Sequence, residues 1–319
     1  MTSKSAFAIA IDLGGTQLRA ALFKNDTLLK RSALPTDVSG GPAGILHQIQ
    51  TLVAQITDGI DKGDILGIGL STAGPVDTIA GITLGIPTLP GWDNFPIRAE
   101  LVQIFGMPVS IENDAIAATL GEWRHGAGRN IQNLVYMTVS TGIGGGVVVD
   151  DRLLHGRKGM AAHIGHMQIA QQGPQCGCGA TGCFEAFASG TALAKRASDP
   201  SRLQQSNYLR TIAKDGVVDA IDVFKGAGAG DEICVSLVKE EARYLGQGIT
   251  SLLHLFSPER VIIGGGISKN FEMLEPGIRA VIQAQAMEPF NDVAIVQSKL
   301  GDDSGLVGAA TMVMDQHSI

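Results

Sequence analysis

The sequence predicts an α/β protein with two domains of similar architecture. Its 319 residues exceed the length at which a single hydrophobic core usually stops growing, and 42 glycines with only 5% aromatic residues are typical of a compact α/β enzyme. An apolar strand, a glycine turn and a second apolar strand occur at residues 6–23 and again at residues 133–149. The same Asp-x-Leu-Leu sequence follows each copy, at Asp26 and at Asp151. This repetition indicates two halves built on one plan.

The rest of the chain alternates strands with helices, and the periodicity of its apolar residues sets their approximate limits. The pattern predicts a helix over residues 45–60, strands over 65–77 and 108–114, a helix over 115–123, a long helix over 233–256, a strand over 260–268 and a final helix over 305–314. A loop rich in Pro and Gly is predicted over residues 86–92. This order of elements favours α/β layers.

The charge and hydropathy of the chain argue against nucleic acid and membrane partners. The formal net charge is −7 at pH 7, and no run of Lys or Arg could neutralise a phosphate backbone. Asp12 interrupts the first apolar segment before a signal-peptide core could be completed, and later apolar segments are too short to span a membrane. We therefore expect a cytoplasmic protein whose thiols stay reduced.

Three glycine turns that follow apolar strands could hold phosphate groups. Glycines leave backbone N–H groups accessible to phosphate oxygens, because no side chain blocks the approach. One such turn is more often a simple bend, but three turns with two threonine hydroxyls and an aspartate that could anchor Mg²⁺ indicate a nucleoside triphosphate. The candidate residues are Asp12, Gly14, Gly15, Thr16, Thr141, Gly142, Gly144, Gly264, Gly265 and Gly266. The P-loop, protein-kinase and Rossmann motifs are absent from the sequence.

A cluster of soft metal ligands lies near the middle of the chain. Cys176, Cys178 and Cys183 fall within eight residues of one another, and His166 lies ten residues upstream of the first. Three thiolates and one imidazole suit a closed tetrahedral site for structural Zn²⁺. The Cys-x-Cys spacing is too tight for an ordinary disulfide, and the alternative of scattered buried thiols fits only Cys234.

Asp114 lies where a predicted strand ends and a predicted helix begins, in the sequence Ile-Glu-Asn-Asp-Ala. Aspartate is among the best helix N-caps, because its carboxylate accepts hydrogen bonds from the first backbone N–H groups of a helix. From the residue pattern alone, a capping role for Asp114 is therefore favoured over a catalytic one.

Several of these motifs together resemble those of one family. The sequences D-L-G-G-T, E-N-D-A, S-T-G-I-G-G-G, C-G-C-G-A-T-G-C-F-E and V-I-I-G-G-G are similar to motifs of the ROK family of sugar kinases and repressors, within the actin-like ATPase superfamily. The resemblance implies two ribonuclease H-like α/β domains around a central cleft. It places residues 1–114 with 301–319 in a smaller domain, and residues 115–300 in a larger domain that carries the zinc loop. It also implies a homodimer that uses ATP and Mg²⁺ to phosphorylate a hexose.

The resemblance also assigns roles to the sugar-side residues. Asp114 corresponds to the general base that takes the proton from the primary hydroxyl of the sugar, and Asn113 corresponds to a ligand of the ring hydroxyls. Gly74, His166 and Glu185 correspond to further sugar contacts, and His166 is at the same time a zinc ligand. Without the family, the Glu185 side chain would be read equally well as a solvated charge of the zinc loop.

The departures from the family pattern lie on the sugar side. The usual run is G-x-x-G-x-A-G-E-x-G-H, whereas this chain has G-R-K-G-M-A-A-H-I-G-H, so His163 replaces a glutamate and Ala162 replaces a glycine. A neutral imidazole offers one donor and one acceptor where the carboxylate offers two acceptor oxygens. The His-Ile-Gly-His version resembles that of bacterial N-acetylmannosamine kinases, so we expect a hexose other than glucose. Thr88 and Ala73 also replace residues frequent in glucokinases, Asn and Pro.

Other readings stay open at this point. The chain could be a glucokinase, or a sugar-binding protein of regulatory type or with weak catalysis, and polyphosphate could replace ATP as the donor. Repressors of the family carry a helix-turn-helix domain ahead of the shared body, whereas this sequence enters its first strand by Phe7. We therefore expect no DNA binding.

Overall fold

The computed structural model describes residues 6–317, which form two compact units of mixed strands and helices, as the sequence predicts. The first unit contains the chain up to Asn130, Leu153–Ala161 and the residues from Asp302 onward. The second contains Ile131–Arg152 and Ala162–Gly301. The family-based division after residue 114 assigned the next helix to the larger domain. In the structure this helix packs against the last helix of the chain and lies in the first unit.

The helices and strands follow the predicted order. The strands are β1 Phe7–Leu13, β2 Gln17–Lys24, β3 Thr27–Pro35, β4 Ile65–Thr72, β5 Val76–Asp77, β6 Ile82–Ile86, β7 Leu89–Asp93, β8 Val109–Asn113, β9 Leu134–Val139, β10 Ile143–Val149, β11 Arg152–Leu153, β12 Arg260–Gly264 and β13 Ala294–Gln297. The helices are α1 Gly41–Thr57, α2 Ile97–Phe105, α3 Asp114–His125, α4 Phe184–Ala188, α5 Gly190–Ala197, α6 Pro200–Gln205, α7 Asn207–Ile212, α8 Ala220–Gly228, α9 Glu232–Phe256, α10 Phe271–Gln285 and α11 Ser304–Asp315. No helix within residues 6–317 is long and apolar enough to cross a membrane.

One predicted element is wrong: residues 86–92, expected to form a loop, belong to the hairpin of β6 and β7. The prolines of this segment are tolerated because a short, irregular strand pair needs few ladder hydrogen bonds. Leu89 and the completely buried Trp92 anchor the hairpin in the core of the first unit. Burial of these two apolar side chains therefore overrides the turn signal of the prolines and glycines.

Both units contain a five-stranded sheet with the same strand order. The first sheet runs β3-β2-β1-β4-β8, and the second runs β11-β10-β9-β12-β13. In each sheet the central strand pairs antiparallel with the neighbour in its hairpin and parallel with the strand on its other side. The shared order confirms that the two halves of the chain follow one plan.

Alternate side chains of β1 point to opposite faces of the first sheet, and their sizes determine how closely a helix packs on each face. Ile9 and Ile11 point to one face, where they join the core beneath α1, whereas Ala8 and Ala10 point to the other face and pack with α11. The small side chains let α11 approach the sheet closely. The approach is close enough that a Cβ on Gly69 of β4 would collide with the backbone of Ala309. This packing holds the C-terminal ends of β1, β4 and β8 in place, and these ends carry the polar residues described next.

Candidate active site and metal centre

Asp12 lies near the end of β1 and is buried, with 6% of the residue exposed. Oδ1 accepts a hydrogen bond from the Ser71 hydroxyl at 2.7 Å, and Oδ2 accepts one from Nε of Arg19 at 3.0 Å. The strand register causes this arrangement, because Asp12 faces Arg19 on β2 and Ser71 on β4. No sequence motif indicates either partner, although pairing of the predicted hairpin brings Arg19 opposite Asp12.

The first glycine turn lies between β1 and β2. Some of its residues stabilise the turn, and others leave backbone N–H groups accessible to a ligand. The N–H group of Gly14 donates to the carbonyl of Gln17 at 3.0 Å and closes the turn. A Cβ on Gly15 would lie 2.6 Å from Cβ of Thr88, so only glycine fits beneath this threonine. No described residue accepts a hydrogen bond from the backbone N–H of Gly15 or Thr16. These two donors therefore remain for an incoming anion.

Asn113, and not Asp114, caps helix α3. Oδ1 of Asn113 accepts hydrogen bonds from the N–H groups of Ala115 and Ile116 at 3.1 and 3.4 Å. Asp114 is the first residue of the helix, and its Oδ1 accepts the N–H of Ala115 at 2.8 Å. The capping role that the residue pattern favoured for Asp114 is therefore wrong, because the preceding Asn113 has the extended backbone conformation that a cap requires.

The Asp114 carboxyl has a strongly perturbed acidity. Loss of solvation raises the pKa of Asp114 to about 6, and the negative charge of Asp12 acts in the same direction. Hydrogen bonds from the N–H of Ala115 and from Asn113 oppose the shift, since they favour the ionised form. Asp114 is nevertheless exposed at the surface of its unit. Asp114 thus combines access with a pKa close to that of an effective general base near neutral pH.

Gly74 provides space beside the amide of Asn113. A Cβ at position 74 would lie 2.8 Å from Nδ2 of Asn113, which is too close for any side chain. Because Oδ1 of Asn113 is occupied by the helix cap, Nδ2 is the end of this side chain that remains for a ligand. The structure therefore brings Gly74, Asn113 and Asp114 together at one end of the sheet.

In the second unit, Glu185 is tied to the turn between β9 and β10. Its Oε2 accepts a hydrogen bond from the N–H of Ile143 at 2.8 Å, and a Cβ on Gly142 would collide with the same carboxylate. Thr141 is exposed at the tip of this turn. Gly144 lies inside β10, where it pairs with Thr138, so it belongs to the strand and not to the turn.

The third glycine turn follows β12. A Cβ on Gly264 would lie 2.9 Å from Cζ of Tyr136, and one on Gly265 would lie 2.7 Å from the carbonyl carbon of Val139. Gly265 also has a φ of +81°, which favours glycine. A Cβ on Gly266 would have no contact closer than 3.7 Å. Packing explains the first two glycines, whereas Gly266 is open to a ligand.

The predicted soft ligands lie together in the second unit. One ligand atom from each of His166, Cys176, Cys178 and Cys183 lies within 4.8 Å of the others. The Sγ atoms of Cys178 and Cys183 are 3.8 Å apart, and Sγ of Cys176 is 3.7 Å from Nδ1 of His166. With Zn–S bonds of about 2.3 Å, two tetrahedral ligands stand about 3.8 Å apart. The residues therefore fit a zinc ion, and Cys234 lies elsewhere as a buried free thiol.

His163 stands next to this cluster but outside it. Its ring centroid is 6.3 Å from that of His166, and the side chain is exposed. Burial of part of the ring lowers the pKa of His163. The imidazole is therefore neutral at pH 7 and offers one donor and one acceptor. Gly165 allows the loop to continue against β10, because a Cβ there would collide with the Ile143 carbonyl.

Comparison with known proteins gives a consistent result. The model of the ROK family matches residues 8–316. A glucokinase from Thermotoga maritima is 35% identical over 311 residues, which cover 97% of this chain and 97% of that protein. An N-acetylmannosamine kinase from Citrobacter koseri is 34% identical over 306 residues, which cover 95% of this chain and 97% of the relative.

Among solved structures, a similar one is the crystal structure of a ROK family glucokinase from Streptomyces griseus in complex with glucose and AMPPNP. Its TM-score is 0.83 at 32% sequence identity, and the match covers 97% of this chain and 100% of that chain. The similarity confirms the actin-like ATPase fold that the sequence motifs implied.

The cysteine cluster leads to a prediction about metal content. We expect freshly purified protein to contain about one Zn²⁺ per chain, and Cys178→Ser to lose most of it, because a hydroxyl is a poor replacement for a thiolate ligand. Metal analysis by mass spectrometry checks both values. Cys234→Ser is the control, since its thiol is outside the cluster and its metal content should stay unchanged. Wild-type protein without zinc, purified in the absence of chelators, would contradict the assignment.

Proposed function

The chain belongs to the ROK family, and we propose that this sugar kinase transfers the γ-phosphate of ATP to the primary hydroxyl of a hexose, with Asp114 as general base. One observation carries the proposal. The helix cap is supplied by Asn113, so the Asp114 carboxylate is not committed to the cap, and its pKa is raised to about 6. A carboxylate in this state accepts a proton more readily than an ordinary aspartate.

The chemistry requires little more from the protein than alignment and charge neutralisation. Asp114 accepts the proton of the sugar hydroxyl as that oxygen attacks the γ-phosphorus. The bond from this phosphorus to the β-phosphate oxygen breaks, and ADP leaves with its electron pair. Nδ2 of Asn113 donates to a ring hydroxyl, and Gly74 leaves space for the sugar beside it. In the first unit the N–H groups of Gly15 and Thr16 hold phosphate oxygens. In the second unit the turns at Thr141 and Gly266 are open to a phosphate group.

Mg²⁺ has a suitable anchor at Asp12. The carboxylate and the adjacent Ser71 hydroxyl are hard oxygen ligands, and Mg²⁺ in kinases needs only one or two protein ligands besides phosphates and water. When bound, the ion neutralises the charge of the transferring phosphate. Arg19 shares the same carboxylate, so this guanidinium holds Asp12 in a fixed orientation before the nucleotide arrives.

Zinc has a structural role in this proposal. It holds together a loop that runs from His166 to Cys183, and α4 with Glu185 follows directly after it. Glu185 Oε1 lies 3.7 Å from Sγ of Cys176, while Oε2 accepts the N–H of Ile143. The metal loop, the candidate sugar ligand and the strand after the Thr141 turn are thus connected through one carboxylate.

The sugar is proposed to be N-acetylmannosamine in preference to glucose. The supporting observation is His163, whose neutral imidazole stands where the family usually has a carboxylate. Relatives named glucokinase and relatives named N-acetylmannosamine kinase are about equally similar to this chain, at 35% and 34% identity, so the overall similarity does not choose between them. Glucokinase activity is the second candidate on that ground.

The base assignment is tested by Asp114→Asn. We expect kcat to fall by about 10²-fold or more, because the amide cannot accept the proton, while the fold and ATP binding persist. Steady-state kinetics with a coupled ADP-release assay, circular dichroism and ATP binding give the three readouts. Asp26→Asn, on an exposed turn, is the control and should keep wild-type turnover. Near-normal kcat in Asp114→Asn would overturn the assignment.

The role of His163 is tested by His163→Glu. Restoring the carboxylate should raise kcat/KM for glucose relative to N-acetylmannosamine, since one hydrogen bond to a sugar hydroxyl is worth about 1–3 kcal/mol, or about 5- to 150-fold. KM for ATP should change little. Kinetics on glucose, mannose and N-acetylated hexoses measure the ranking, with His47→Glu on the exposed face of α1 as the matched control. If the order of kcat/KM values among the sugars is unchanged, His163 does not contribute to sugar specificity.

A further inference from the structure

A buried carboxylate stands immediately before the candidate sugar ligand. Glu112 is the penultimate residue of β8 and is only 3% exposed. Its Oε1 accepts a hydrogen bond from the backbone N–H of Asn113 at 2.9 Å. A buried carboxylate costs free energy unless its oxygens are paired, so Glu112 needs a second partner.

His155 is that second partner. Its Nε2 lies 3.2 Å from Oε2 of Glu112, and this side chain is half exposed. The hydrogen bond and the negative charge of Glu112 raise the pKa of His155, although partial burial opposes them. Protonation of His155 is therefore favoured, and the protonated form makes an ion pair between its accessible imidazolium and the buried carboxylate of Glu112.

His155 also begins the loop of residues 155–161. Its carbonyl accepts the N–H of Ala161 at 3.0 Å, so the loop returns on itself within the first unit. A second anchor lies at Lys158, whose Nζ is 3.3 Å from Oδ2 of Asp77 and whose carbonyl accepts the N–H of Thr78. The chain continues directly from this loop to Ala162 and His163, the two positions at which the sequence departs from its family.

We propose that His155 is a positioning residue for sugar binding, which acts by orienting Glu112 and, through it, the backbone of Asn113. This inference rests on the proposed function, in which Nδ2 of Asn113 binds a ring hydroxyl. His155 touches neither sugar nor nucleotide in this account. By holding one end of the loop on β8, it also connects the segment that precedes His163 to the strand that carries Asn113.

Removal of His155 should affect the kinetic constants differently from removal of a contact that only stabilises the fold. The cap at Asn113 and the N-terminal turn of α3 keep Asp114 in place independently of His155. Loss of His155 should therefore weaken a hydrogen bond that Asn113 makes in the ground state and the transition state alike. Such a loss raises KM for the sugar with little effect on kcat.

The test compares His155→Ala, His155→Gln and Glu112→Gln with His47→Ala, an exposed histidine of the same unit. We expect His155→Ala to raise KM for the hexose by about fivefold or more, with kcat and KM for ATP within about twofold of wild type. His155→Gln retains an N–H donor and should recover most of the sugar affinity. Thermal unfolding checks that the variants remain folded.

A second readout tests the pair without activity. Histidine titration by NMR should give His155 a pKa above that of an exposed histidine in wild-type protein, and Glu112→Gln should bring it down. The same pKa in both proteins would overturn the pairing. Normal wild-type turnover with an unchanged sugar KM in His155→Ala would overturn the positioning role alone. Absence of wild-type turnover on every hexose would instead overturn the proposed function, and the positioning role with it.

Discussion

The hydrogen bonds from the N-terminus of α3 to the side chain of Asn113 determine how the neighbouring Asp114 carboxylate can act in catalysis. A helix start leaves backbone N–H groups without partners, and a neutral amide accepts two of them here. The Asp114 carboxylate beside it shares one of these N–H groups, that of Ala115, but is not the N-cap. Its pKa reflects opposing effects, because the helix N-terminus favours the ionised form whereas desolvation and Asp12 disfavour it. The net result is a carboxylate that is ionised at neutral pH yet more basic than usual.

Each unit holds a carboxylate in a fixed orientation beside a glycine turn. In the first, Asp12 is fixed by side chains from both neighbouring strands, Arg19 and Ser71. In the second, Glu185 is fixed against the turn at Gly142 by the N–H of Ile143. Each carboxylate is oriented before any ligand arrives, and such preorganisation avoids a reorganisation cost during the reaction.

The sequence predicted the repeated strand pairs and the metal ligands well, because both depend on local patterns. The common strand order of the two sheets confirms the repeat. The four predicted ligands lie together and form a possible metal site. Prediction from the sequence failed where two adjacent residues can take the same role, and where contacts between residues distant in the chain determine the role. Asn and Asp are equally good caps, so the choice between Asn113 and Asp114 depended on backbone conformation. The contact between Glu112 and His155 could not be predicted, because the two residues are far apart in the sequence and no local motif contains both.

The most direct test of the central claim is the pH dependence of kcat/KM for the hexose at saturating ATP, which reports the base of the enzyme before the sugar binds. A general base must be ionised to accept a proton, and the pKa of Asp114 is raised to about 6. We therefore expect kcat/KM for the hexose to reach its maximum above that pH and to fall below it. We expect kcat/KM to decline by about tenfold per pH unit below the pKa of Asp114. A profile that stays flat down to the ordinary aspartate pKa of about 4 would contradict it.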